Sequence, residues 1–190
     1  MNLDLLWQIN SQKIAAEKLT NDKNWIENSS WEEFILAMSL KTPQSYGAAI
    51  QNRIIKELNG YKIPASEEKG DCVIDSYYHE IKSSILTHTN DTMNLVQIRP
   101  WQKIKGYYCF AFDIRKFRNF NIHQFFLTHE QMLEEINLIG GLSHGTKRTA
   151  QNNTHNEQSI RIKILQDDII FKSWQKKYSK DLLGIKNGLQ

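Results

Sequence analysis

Cysteine is scarce: Cys72 and Cys109 are the only two in 190 residues. Two thiols make neither a disulfide framework nor a four-cysteine zinc site, and they fit a reduced intracellular chain. Six scattered histidines add no zinc spacing. Long apolar runs are missing too. None approaches the roughly 18 residues that span a bilayer, so no membrane partner is expected. The opening Met1-Asn2-Leu3-Asp4 lacks the basic start of a signal peptide, and the expected location is cytoplasmic. There is no internal repeat, and Ser83 and Ser84 have no His or Asp partner at a spacing that predicts a hydrolase triad.

What the chain does have is core-forming surface. Hydrophobic residues make up 40%, with five Trp, seven Tyr and eight Phe spread along it. That suffices for a single domain over residues 1–190, and two independent domains would be a squeeze. Charge is divided unevenly. Residues 1–95 carry 9 Lys/Arg and 13 Asp/Glu while residues 96–190 carry 15 and 8, so the halves stand at −4 and +7. A basic surface facing a polyanion, beside an acidic half that holds a cation, accounts for this split; so does a solvated, charge-mixed surface.

Residues 1–60 read as helical. Leu5, Leu6, Ile9, Ile14 and Leu19 recur at roughly helical spacing, and Ser30-Trp31-Glu32-Glu33 is a capping-box sequence. Thr42-Pro43-Gln44-Ser45 leads into a helix over Tyr46 to Leu58, whose Ala49, Ile50, Ile54 and Leu58 suit packing on a sheet. Residues 61–69 read as a polar loop, followed by a β-hairpin over Asp71 to Ser84 with Asp75-Ser76 near its turn. Strand-length apolar runs follow at 95–99, 107–112 and 124–127. A Thr128-His129-Glu130-Gln131 capping box then opens a helix that Gly140-Gly141 stops. Residues 143–156 have almost no apolar content and read as a long polar loop. Ser159 to Ile164 alternates like a half-exposed strand, and a basic helix with Trp174, Lys176 and Lys177 closes the chain. The pattern predicts an α/β or α+β fold with a mixed sheet: a helical part over 1–60, a core over 61–130, and a loop, strand and helix over 131–190.

One stretch of that plan is chemically unusual. Gly70-Asp71 and Glu80-Ile81-Lys82-Ser83-Ser84 set two carboxylates and an ammonium on one hairpin. Strand residues alternate in face, so Glu80 and Lys82 share one face and His79, Ile81 and Ser83 the other. Carboxylates on neighbouring strands can bind Mg²⁺ jointly, because that ion takes oxygen ligands and keeps waters and phosphate oxygens around it. Asp71 and Glu80 are such a pair. The Ile81 carbonyl offers a further oxygen, and Lys82 is placed to hold a water and stabilise phosphate charge. The Glu-x-Lys triplet alone is weak, since Glu67-Glu68-Lys69 repeats it in a polar stretch. Context separates the two: the downstream triplet is flanked by the strand formers Tyr77, Tyr78 and Ile81. An ordinary exposed Glu–Lys strand pair is the bland alternative. Asp75, at the turn, is a weaker substitute for Asp71.

These residues resemble the catalytic signature of the PD-(D/E)XK nucleases, in particular the type II restriction endonucleases. The resemblance is best from Ser45 to Trp101 and only architectural elsewhere, and Gly70 stands where the family label has proline. It implies a restriction-endonuclease-like core, with a central mixed β-sheet flanked by helices. It also implies sequence-specific, Mg²⁺-dependent cleavage of double-stranded DNA, with Asp71, Glu80 and Ile81 as metal ligands and Lys82 as the residue that polarises water and phosphate. Such enzymes commonly act as homodimers, since a twofold protein reads a symmetric duplex half-site by half-site. Family members often carry one more acid on the helix before the first catalytic strand. Ser45 to Arg53 resembles that helix, with Gln51 where a Glu would be expected. Glu57 lies six residues on, about 240° around the helix, so the two serve different faces. Either Gln51 contributes a neutral oxygen or Glu57 is the additional acid. A repair, nicking or junction-resolving nuclease of the same fold and a non-catalytic DNA-binding module are the competing classes.

A nuclease also needs phosphate contacts for affinity and base contacts for specificity. Gln97, Arg99, Gln102, Lys103 and Lys105 follow the catalytic strand, and Arg115, Lys116 and Arg118 follow the next. Gln97 and Arg99 alternate with apolar neighbours and are expected on one strand face. In the 143–156 loop, Lys147 and Arg148 suit guanine, while Gln151, Asn152 and Asn153 suit adenine by paired hydrogen bonds. His144, Asn152 and His155 invite a His-Asn-His nuclease reading, but their flanks lack the strand-turn-helix cradle it needs.

Overall fold

The computed structural model describes residues 2–22, 24–66, 68–116, 119–149, 156–165 and 168–184. Four helices come first: α1 (Leu3–Asn21), α2 (Trp25–Asn28), α3 (Trp31–Met38) and α4 (Pro43–Glu57). Six strands follow, β1 (Tyr61–Ser66), β2 (Gly70–Ile74), β3 (Tyr77–Leu86), β4 (Thr92–Ile98), β5 (Gly106–Asp113) and β6 (Asn121–Thr128). The chain then forms α5 (His129–Ile139), β7 (Leu142–Thr149), β8 (Asn156–Leu165) and α6 (Ile169–Tyr178). Among these residues no helix is long and apolar enough to cross a membrane.

A central mixed sheet flanked by helices organises the fold. Its order is β1-β2-β3-β5-β6, with β3 and β5 parallel and the other neighbours antiparallel. A second, antiparallel sheet has the order β4-β8-β7. Every residue of β5 is buried, because both sheet faces are covered. Tyr108, Phe110 and Phe112 pack with Phe34, Ile50 and Ile54 of the helices, while Tyr107, Cys109 and Ala111 pack with β4, β8, α5 and α6. Each fully buried Ile or Phe in these clusters stabilises the fold by about 1.5–3 kcal/mol. Helix starts follow local chemistry: Ser30 and Thr128 each close a capping box, with Glu33 and Gln131 respectively. α4 begins earlier than its apolar pattern does, at Pro43, whose fixed φ and missing N–H suit a first helical position.

The β2–β3 turn is built on positive φ at Asp75 (49°) and Ser76 (68°), the pairing that matches the twist of a tight hairpin. Its register sets Cys72 opposite His79 and Ile74 opposite Tyr77. Gly70, at φ 74°, cannot carry a side chain: a Cβ there would meet the His79 carbonyl oxygen at 2.5 Å. The close approach it permits delivers Asp71 to β3.

Three expectations are corrected. Residues 61–66 form the edge strand β1, not loop, because Tyr61 and Lys62 pair with Val73 and Cys72. Residues 143–149 are likewise strand: Ser143 pairs with Ile160 and Lys147 with Gln158, so the polar stretch is a β-ribbon satisfied by backbone ladder bonds rather than by apolar packing. In α1 the apolar positions mark the inward face only in part: Trp7 and Leu19 pack on the core. Leu5, Ile9 and Ile14 are exposed, and Gln8, Gln12 and Ala15 are buried. The two amides have partners inside, Gln8 accepting from His88 N–H at 3.1 Å and Gln12 donating to Ser39 Oγ at 2.7 Å.

Candidate active site

Asp71, Glu80 and Lys82 meet on the hairpin. Asp71 directly precedes Cys72, the last β2 residue in the β2–β3 ladder, which pairs with His79. Asp71 Oδ2 accepts from the Ile81 backbone N–H at 2.9 Å. The Asp71 side chain thus occupies a backbone donor of β3 just past the last paired position of the β2–β3 ladder. Glu80 and Lys82, two residues apart and on one face, form an ion pair of 2.6 Å with side chains only 4% and 10% exposed. Ile81 points the other way, into the helix-side core.

Each charged group has a brace. Glu80 Oε2 accepts from Gln102 Nε2 at 3.2 Å, and Lys82 Nζ donates to the Gln97 carbonyl at 3.3 Å. The Asp71 carboxylate takes a hydrogen bond from the Gln51 side chain of α4. Burial holds Asp71 above its ordinary carboxylate range and the Glu80 charge raises it further, while Lys82, the Ile81 N–H and Gln51 pull the other way. Two carboxylates and one ammonium therefore share a site little open to water, one positive charge short of balance.

Gln51 and Glu57 part company here. Glu57 accepts from Trp31 Nε1 at 2.9 Å and pairs with Arg53 Nε at 3.3 Å, on a face of α4 directed at α3. These contacts tie the end of α4 to α3. Gln102, expected among the nucleic-acid contacts, is instead 3% exposed and bonded to Glu80. Nothing in Pro100-Trp101-Gln102 distinguishes a site amide from a surface one, so sequence alone could not separate those roles.

The other described basic and amide candidates are spread over β4, the β4–β5 connection and β7. Gln97 is exposed at φ 54°, beside a register shift between Leu95 and Ile98 that turns both apolar side chains inward despite their odd spacing. Arg99 lies beyond the end of β4 and is half-buried, and its charge reaches the Tyr107 hydroxyl. Lys103 is 82% exposed, with Nζ 4.0 Å from Glu68. Lys105 Nζ stands 4.8 Å over the Tyr77 ring, and Lys69 Nζ lies 5.4 Å from the Tyr78 ring, at the tip of the β2–β3 hairpin. Lys147 and Arg148 sit on β7, whose sheet includes β4. Gln151, Asn152, Asn153, His155 and Arg118 lie outside the described residues.

Other chemistries fit less well. Both cysteines are buried and their thiols are pushed up to about 12, for Cys72 by burial and the neighbouring Asp71 and Glu80 charges, which disfavours the nucleophilic thiolate. His144 is on a strand paired within a ribbon, not at a strand-turn-helix junction. Among the described residues no three His, Cys, Asp or Glu side chains cluster to hold a metal by themselves. Mg²⁺ does not require such a nest, since one or two carboxylates plus waters and phosphate oxygens complete its octahedron. No family model matches this chain, and no curated protein is significantly similar to it.

Proposed function

We propose that this protein is a Mg²⁺-dependent endonuclease that cuts double-stranded DNA at a specific sequence, in the manner of a type II restriction enzyme. The observation that carries the reading is the convergence of Asp71, Glu80 and Lys82 on one hairpin, with Gln51 bonded to Asp71. The donor set fits Mg²⁺. Two little-exposed carboxylates face one ammonium, and Asp71 is held above its ordinary range partly by the charge of Glu80, a repulsion that a divalent cation would offset. Asp71, Glu80 and the Ile81 carbonyl would hold the ion, which supplies a more acidic water and neutralises phosphate charge.

The chain's own residues do the rest. Lys82, fixed by Glu80 and the Gln97 carbonyl, presents its ammonium to the scissile phosphate and offsets the charge that builds on its oxygens. Asp71, tied to the Ile81 N–H and to Gln51, keeps one orientation, so little motion remains to be frozen at the reacting step. Hydrolysis adds the elements of water across one phosphodiester bond, its oxygen to phosphorus and a proton to the departing oxygen. Exposed Lys103 and Lys105 suit phosphate contacts beside the site. The β7–β8 ribbon, with Lys147 and Arg148, has the width of an element that enters a major groove, and a homodimer would present two such ribbons to a palindrome.

The test is cleavage of a sequenced plasmid. Discrete fragments are expected with Mg²⁺, none with EDTA and none from Lys82→Ala, with fragment ends that share one sequence. A plasmid left intact by wild-type protein across Mg²⁺ and salt conditions refutes the reading, and salt-sensitive DNA binding without cleavage supports a binding module instead.

A further inference from the structure

Both members of the Glu80–Lys82 pair are gripped by the same short segment. The Gln97 carbonyl accepts from Lys82 Nζ at 3.3 Å, and five residues later Gln102 Nε2 donates to Glu80 Oε2 at 3.2 Å. The segment is built for this at a cost. Gln97 holds φ at 54°, a conformation that side-chain-bearing residues seldom adopt, and a turn closed by Gln102 N–H on the Arg99 carbonyl at 3.1 Å follows it. Arg99 Nε, Trp101 Nε1 and Gln102 Oε1 are all buried without a hydrogen-bond partner among the described residues. An unsatisfied buried polar atom costs about 1–3 kcal/mol. Three in one turn are not explained by folding stability, and costs of this kind gather where a chain serves a site.

We propose that residues 97–102 form a positioning clamp for the Glu80–Lys82 pair, with Gln102 fixing the Glu80 carboxylate in the orientation a divalent cation needs. With Oε1 on Lys82 and Oε2 on Gln102, the carboxylate plane cannot rotate freely, yet each oxygen keeps a second lone pair for a cation. Gln102 acts through Glu80 and is a positioning residue, not a catalytic one. Since β4 is also hydrogen-bonded to β8, and β8 to β7, the clamp links the ribbon carrying Lys147 and Arg148 to the charged pair. Its role in cleavage rests on the nuclease reading above; its role in cation binding does not.

The experiment compares wild type with Gln102→Leu and the near-isosteric Gln102→Glu, after thermal melts establish which variants fold. Calorimetric titration with Mn²⁺ alone should show Gln102→Leu binding roughly 10-fold more weakly, and plasmid cleavage should fall about 10- to 100-fold in kcat with KM for DNA little changed. Gln102→Glu sets a further carboxylate against Glu80, so its Mn²⁺ affinity should depend more steeply on pH than that of wild type. Folded variants whose Mn²⁺ affinity, pH dependence and kcat match wild type overturn the clamp. Wild type that binds Mn²⁺ but leaves DNA intact overturns the nuclease reading while the Mn²⁺ comparison still decides the clamp. Wild type that neither binds Mn²⁺ nor cuts overturns both.

Discussion

Lys82 Nζ lies 2.6 Å from Glu80 Oε1 with neither side chain more than 10% exposed. An ion pair so shielded is costly to break one partner at a time, because the survivor is left charged in a poor solvent. Lys82→Ala should therefore lower the free energy of unfolding by about 3 kcal/mol as well as abolish cleavage. The double variant Glu80→Gln with Lys82→Met should recover much of that stability while staying inactive. Urea unfolding of wild type and the two variants checks this. A single-variant cost below about 0.5 kcal/mol would mean that the pair behaves as an exposed one.

Gln51 and Glu57 differ in what they touch, and their variants should differ in kind. Glu57 holds Trp31 Nε1 and Arg53, whose guanidinium lies 4.4 Å from the Trp31 ring and 4.8 Å from the Phe34 ring. Glu57→Ala should cost roughly 1–3 kcal/mol of stability and leave kcat unchanged in whatever fraction is folded. Gln51→Ala loses the bond to Asp71, so it should unfold within about 1 kcal/mol of wild type yet cut at least about 10-fold more slowly. The opposite outcome, a slow but stable Glu57→Ala beside an unaffected Gln51→Ala, would exchange their roles.

Much of this was legible because local chemistry and tertiary need agree. The Ser30 and Thr128 caps, the Asp75-Ser76 turn and the strand-spaced Glu80 and Lys82 each depend on neighbours within a few positions. Periodicity failed where burial is polar. Gln8 and Gln12 face inward through specific partners far along the chain, His88 and Ser39, and no hydropathy pattern encodes such a pairing. It failed again in β7, whose Ser143, Lys147 and Arg148 are held by a ladder to β8. The site divides along the same line. The triplet of charged residues lies within one hairpin and could be read, whereas the Gln97 carbonyl comes from the end of β4 and Gln102 from the β4–β5 connection, where a Gln gives no local sign of its partner.

Gln97 offers a separate test of backbone strain. At φ 54° glycine is at ease, while a β-branched side chain is strongly disfavoured. Gln97→Gly should keep the carbonyl on Lys82, leave stability within about 1 kcal/mol of wild type and retain cleavage, since the contact is made by backbone. Gln97→Val should push the segment toward ordinary extended backbone, costing about 1–3 kcal/mol and slowing cleavage. Melting curves and single-turnover rates on the same plasmid give both quantities. Equal behaviour of the two variants would show that the bulge does not govern Lys82.

Asp71 makes a prediction about pH. Burial, with the Glu80 charge added, raises its folded-state pKa above the value of an unfolded aspartate, so the folded chain binds the extra proton more readily. Its contribution to stability is then full below the ordinary carboxylate range and is lost as pH rises through the raised value. Asp71→Asn keeps an oxygen for the Ile81 N–H but carries no charge. Its advantage over wild type should be near zero at acid pH, below the ordinary carboxylate range, and grow as pH rises toward neutrality, measured as the difference in urea-unfolding free energy across that range. Mg²⁺ should raise the wild-type melting temperature more at neutral than at acid pH, because the cation requires the carboxylate that the proton occupies. Asp71→Asn should lose most of that response. If the variant is less stable than wild type by the same amount throughout, Asp71 is not strained by its neighbour and the electrostatic case for a cation at this hairpin fails.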